Sequence, residues 1–126
     1  MKRVTDIGGI FFNVKDKTKT LEWYKKHLGI NSEDWGTSFH WREKERPEKE
    51  GYTVWSPFKD STEYFNPSEK PYMINYSMDN LEELLKALKE EGVKIVDELV
   101  KEEYGKLAWI MDPEGNKIEL WEPNGK

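Results

Sequence analysis

The sequence contains no cysteine, which excludes disulfide bridges, thiolate metal sites and a cysteine nucleophile together. It has two histidines, His27 and His40, too far apart to form the His-x-x-x-His pair of a helical metal site. No apolar run approaches the roughly 20 residues of a membrane-spanning helix. The opening MKRVTDIGG carries two basic residues with no apolar stretch behind them, so no secretory signal is expected. These absences predict a cytoplasmic protein with no membrane partner. A basic stripe is missing as well. Lys and Arg number 20 against 25 Asp and Glu, a net charge of −5 with the signs interleaved, so no nucleic-acid partner is expected. If the long-range field selects a ligand, it selects a cation.

Aliphatic residues are also sparse. Hydrophobic residues make up 36% of the chain and charged residues another 36%, the latter against a usual ~25%. Aromatics fill the deficit: six Trp, six Tyr and five Phe, each able to bury about 150–250 Å². A chain of 126 residues is then one ordinary domain, with enough apolar area for a core or a lined pocket.

An internal repeat organises that domain. Trp35-Gly36 opens a segment closing on Val54-Trp55-Ser56-Pro57, and Tyr104-Gly105 opens one closing on Leu120-Trp121-Glu122-Pro123. Upstream, Ile10-Phe11-Phe12-Asn13-Val14 matches Ile74-Asn75-Tyr76-Ser77-Met78. The copies are offset by 63 to 69 residues, which reads as one duplicated module and not as a solenoid array. Module one is expected over about residues 5–60 and module two over about 72–123, joined by a linker over about 61–71.

Each module reads strand, helix, strands. Leu81, Leu84, Leu85 and Leu88 fall on one helical face, with Asn80 as N-cap, Glu83 three residues on, and Gly92 as the stop. Leu21, Tyr24 and Leu28 share a face of the first helix, closed by Gly29. Asp112-Pro113-Glu114-Gly115 carries the signature of a type I turn, and the charged run Arg42–Glu50 is its solvated equivalent in module one.

A duplicated βαβββ unit of about 60 residues, closing on DPEGNKIELWEP and opening on IFFNVKDKTKTLEWYKKHLGI, resembles the vicinal oxygen chelate superfamily. This is the glyoxalase/bleomycin-resistance/dioxygenase group, and the resemblance runs from about Ile7 to Pro123. It implies an α+β fold in which two tandem βαβββ modules form a curved, open eight-stranded barrel around a cleft, completed as a homodimer. It also implies four strand positions that in the group's enzymes hold a metal. Those positions fall on Gly9, Thr53, Met73 and Glu119. Glycine has no side chain, and a thioether is a poor ligand for hard or borderline metals. Glu119 alone is chemically suited, so no metal and no other cofactor is expected.

Glu119 is therefore the one catalytic candidate, as a general base in an aromatic cleft, or else an anion for a cationic ligand. With no second catalytic group at the matching positions, binding ranks ahead of catalysis. The resemblance implies that those four strand positions face the cleft. Period-two alternation adds their neighbours and gives an expected cleft of Phe11, Asn13, Thr53, Trp55, Met73, Asn75, Glu119 and Trp121. It is mainly apolar with a few convergent polar groups, the usual make-up of a small-molecule pocket. His40 reads as a structural histidine and His27 as a cation suited to a helix C-terminus. The leading expectation is a homodimer binding a small organic molecule, cationic or aromatic, without the usual chelate. The alternatives are a metal-dependent lyase of glyoxalase I type or a dioxygenase with a non-standard site, and a regulatory module with a vestigial cleft.

Overall fold

A computed structural model of the chain describes residues 3–124. The elements run β1 (Asp6–Val14), α1 (Lys17–Leu28), β2 (Thr37–Arg42), β3 (Glu50–Lys59), β4 (Tyr72–Ser77), α2 (Leu81–Glu90), β5 (Ile95–Glu102), β6 (Gly105–Met111) and β7 (Lys117–Pro123). The strands form one mixed sheet ordered β2-β3-β1-β4-β7-β6-β5. The antiparallel pair β1–β4 stands at its centre. On either side comes a parallel pair, β1–β3 or β4–β7, and then an antiparallel one, β2–β3 or β6–β7.

Seven strands form among the described residues, one fewer than the eight expected. The difference lies after α1. Between Gly29 and Gly36 only residues 30–35 are available, whereas the stretch from Gly92 to Gly105 is long enough to hold β5. A strand commonly takes about five residues before any turn is counted, so the shorter link makes a single bridge between Glu33 and Gly36 instead.

The two helices serve the sheet unequally. On α2, Leu81, Leu84 and Leu88 are buried against Ala108, Leu120 and Met78, each leucine contributing about 1.5–3 kcal/mol. Its N-terminus departs from expectation. Asn80 precedes the helix but makes no side-chain cap, and the Leu81 N–H is met instead by Glu122 Oε1 from β7 at 2.9 Å. Helix α1 ends as expected on Gly29, whose φ of 69° lets its N–H reach back to the last turn. None of its residues is buried. It rests Tyr24 against Trp55 and Phe12. The turn at Asp112 also forms as read, closed by Gly115 N–H to Asp112 O. The sheet face away from the helices carries the second cluster, with Phe11, Met73, Leu107, Trp109, Trp121 and Phe65.

Candidate ligand-binding site

Strand register builds the centre of the site. Parallel pairing sets Asn75 of β4 beside Glu119 of β7, and antiparallel pairing sets Trp109 of β6 on its other side. Both neighbours donate to the carboxylate: Asn75 Nδ2 to Oε1 at 2.6 Å and Trp109 Nε1 to Oε2 at 2.9 Å. The hydroxyl of Tyr64 donates to Oε2 as well. Glu119 is 3% exposed, and a carboxylate so buried is tolerable only when hydrogen-bonded in this way. Three donors on one carboxylate leave its charge answered from within the protein.

Tyr64 comes from the stretch expected to link the modules. It stacks on Phe58 with ring centroids 5.7 Å apart and meets Trp109 edge-on at 6.3 Å. Lys117, two residues before Glu119 on the same face, donates to the Tyr64 carbonyl at 2.6 Å and sets its ammonium 5.3 Å from the Tyr64 ring centroid. Burial, then the neighbouring Glu119 charge, pushes the Tyr64 phenol well above its ordinary value. Burial holds the Lys117 ammonium below its own. One polar atom is left over. Asn75 Oδ1 is buried without a hydrogen-bond partner and lies where a Cβ on residue 8 would collide with it, so Gly8 makes room for the amide.

Above this cluster lies a cavity of about 740 Å³. Phe11, Phe58, Tyr64, Leu107 and Trp121 line its interior, with Asn75 and Glu119 at its floor. Trp35, Ser38, His40, Tyr52 and Tyr104 line it as well; Trp35 and Tyr104 are more than half exposed and form its rim. A second depression of about 510 Å³ is bordered by charged residues, among which Glu43 already pairs with Lys49 at 2.9 Å and Arg46 at 3.4 Å.

Of the residues expected to share the cleft, the structure brings together Phe11, Asn75, Glu119 and Trp121 around the cavity, with Met73 packed beside Phe11 and Trp121 in the core cluster. Asn13 lies near the end of β1, opposite Phe58 on β3, and is not among the lining residues. Thr53 and Trp55 point the other way. The Thr53 hydroxyl donates to Ile7 O at 2.8 Å and accepts from Trp41 Nε1 at 3.0 Å, and Trp55 packs on α1. The residues of β3 that line the cavity are Tyr52, Val54 and Phe58. Matching the two Trp-x-Pro units shifted β3 by one residue relative to β7, and one residue turns a strand over. His40, read as structural, faces the cavity. Tyr64 gave no signal, because its position depends on how an irregular segment folds back.

The metal that the resemblance implies does not suit these residues. The groups converging on Glu119 are N–H and O–H donors, which compete for the lone pairs that a cation needs. Gly8 and Val54 offer no donor atom from the facing strands, and among the described residues no group of three His, Cys, Asp or Glu could hold an ion.

Comparison with known proteins agrees with this architecture. No curated protein matches the chain in sequence. Among solved structures, a variant of methylmalonyl-CoA epimerase from Streptomyces coelicolor, in complex with 2-nitronate-propionyl-CoA, superposes with a TM-score of 0.68 at 14% identity, covering 97% of this chain and 99% of that one. The methylmalonyl-CoA epimerase of Mycobacterium tuberculosis gives 0.61 at 17% identity, covering 99% and 92%. A glyoxalase/bleomycin resistance protein/dioxygenase superfamily member from Vibrio splendidus 12B01 gives 0.60 at 10%, covering 92% and 97%. At such identities the likeness is one of fold. The family model for this superfamily matches residues 6–120, nearly the whole chain. The chain therefore belongs to the Glyoxalase/Bleomycin resistance protein/Dioxygenase superfamily.

Proposed function

We propose that this protein binds a small, flat organic molecule in the cavity above Glu119, holding it by stacking and apolar contact and without a metal chelate. The observation that carries this reading is the contrast between wall and floor. The wall offers Phe11, Phe58, Tyr64 and Trp121 to a ring system, whereas the one carboxylate is already bonded to Tyr64, Asn75 and Trp109. Of the two ligand classes the composition admits, the aromatic one fits better than the cationic one. A cation paired with Glu119 would have to displace donors the buried carboxylate needs. The same internal bonding argues against Glu119 as a general base.

A homodimer is supported by the exposed apolar side chains of Ile7, Ile10 and Phe39 and by a helix α1 with no buried residue. A cytoplasmic location is supported by the cysteine-free composition. No helix among the described residues is long and apolar enough to cross a membrane.

The test is a titration of the purified full chain with neutral flat aromatics and with cationic aromatics of the same size, read by indole emission. We expect the neutral compounds to quench emission saturably and to bind at least as tightly as their charged counterparts. Preferential binding of the cations would reverse the ligand class. Failure of every compound to bind would remove the binding reading. One metal ion per chain that survives dialysis and is lost in Glu119→Ala would favour a metal-dependent enzyme instead.

A further inference from the structure

The polar groups around the cavity fall into two sets that differ in whether their hydrogen bonds are spent. On the β6–β7 side, Trp109 stands opposite Glu119 in the ladder, and the two are joined by a hydrogen bond that Asn75 and Tyr64 complete. On the β2–β3 side, His40 stands opposite Tyr52 and Ser38 opposite Val54. This outer antiparallel pair occupies the position in the sheet order that β6–β7 occupies at the other end of the cavity. All four of these β2 and β3 residues line the cavity. His40 and Tyr52 meet as rings, 5.7 Å between centroids. Among the described residues neither His40 nor Ser38 has a side-chain hydrogen bond, in contrast to the bonded cluster across the cavity, where Asn75 Oδ1 is the atom left without a partner.

A pocket of this kind takes its affinity from apolar walls and its orientation from a few polar groups. Here Ser38 and His40 on β2 can act on a ligand without breaking an internal bond; Asn75 Oδ1, also unbonded, is an acceptor only, and Tyr52 and Tyr104 add a hydroxyl each. Ser38 and His40 are two residues apart, so both project from the same face of the strand toward one end of a bound molecule. A hydroxyl donates one hydrogen bond, and an imidazole both donates and accepts. Together they suit an oxygen-bearing group such as a carboxamide or carboxylate.

We infer that Ser38 and His40 are the specificity-determining residues of the cavity, and that the ligand class is a flat aromatic bearing a carboxamide or carboxylate that docks against β2 while its ring lies between Phe11, Phe58 and Trp121. This rests on the binding reading above and goes further by naming the ligand's polar end and the wall that receives it.

Three probes of common shape test it: naphthalene, 2-naphthamide and 2-naphthoate, each titrated into the isotopically labelled full chain and followed by amide NMR. The quantity read is the ratio of polar-probe to naphthalene affinity. In the parent protein 2-naphthamide and 2-naphthoate should bind roughly three- to tenfold more tightly than naphthalene, the effect of one or two hydrogen bonds. Their shift changes should include the amides of residues 38 and 40. In His40→Ala and in Ser38→Ala the ratio should fall toward one, and His40→Gln, whose amide also donates and accepts, should restore part of it. His40 is exposed, so these changes should leave the fold intact, which an unaltered amide spectrum without probe verifies. If naphthalene binds but the polar probes gain nothing, or if their gain survives both alanine variants, the assignment to β2 is overturned while the cavity reading stands. If none of the three binds, the cavity reading falls and this one with it.

Discussion

Tyr64 ties the polar floor to the ring-lined wall, and its ionisation should be visible in stability. Its phenol is raised by burial and then by the Glu119 charge, so the folded protein holds that proton beyond the point near pH 10 where an unfolded tyrosine releases it. The folded state then binds more protons than the unfolded one, and stability falls as pH rises above about 10. Lys117, lowered by burial, acts in the opposite sense over the same range, so the informative comparison keeps it in place. Urea midpoints measured from neutral to alkaline pH should fall more steeply for the parent than for Tyr64→Phe, and the two slopes should agree below pH 9. Equal slopes throughout would mean that the phenol is not held protonated by its surroundings. At this scale the sequence was only partly legible. Glu119 stood out as the one chelating side chain among four expected positions. Of its three donors only Asn75 stood among the expected cleft residues; Trp109 is set by register across strands and Tyr64 by the path of an irregular segment.

The elements divide between those that local pattern specifies and those that chain length decides. Helix α2 was readable from its leucines, and the turn at Asp112 from Pro113 and Gly115. Here the periodicity and the special backbone residues agree with the tertiary packing. The eighth strand failed for a reason of arithmetic in the chain: residues 30–35 cannot supply both a strand and its turns. The face of β3 failed because similar motifs at its end do not fix which side its residues occupy, and the ladder with β2 and β1 does. The helices lead to a direct prediction. Leu84→Ala removes a side chain that is 3% exposed and should cost about 2–5 kcal/mol in chemical unfolding. Leu28→Ala, at the end of a helix with no buried residue, should change stability by no more than about 0.5 kcal/mol. Comparable losses would mean that α1 is covered by something the single chain does not show, and a partner copy is the first thing to look for.

For the whole molecule, assembly and continuity are the open properties with structural consequences. Ile7, Ile10 and Phe39 are each more than two-fifths exposed, and a contact between copies would bury them. Light scattering at micromolar concentration should therefore give about 30 kDa, twice the chain's 15.0 kDa, with a two-fold symmetric contact as the ordinary arrangement. A mass near that of one chain would assign those side chains to another partner or to none. Repeated halves ordinarily suggest a seam at which a protein can be opened, circularly permuted or split into complementing fragments. That seam is closed in this protein. The stretch between β3 and β4 delivers Tyr64 to the buried carboxylate and Phe65 to the core, and Lys117 is bonded to its backbone. New termini placed there would dismantle the floor of the cavity, whereas termini in the charged loop between β2 and β3 would leave it whole.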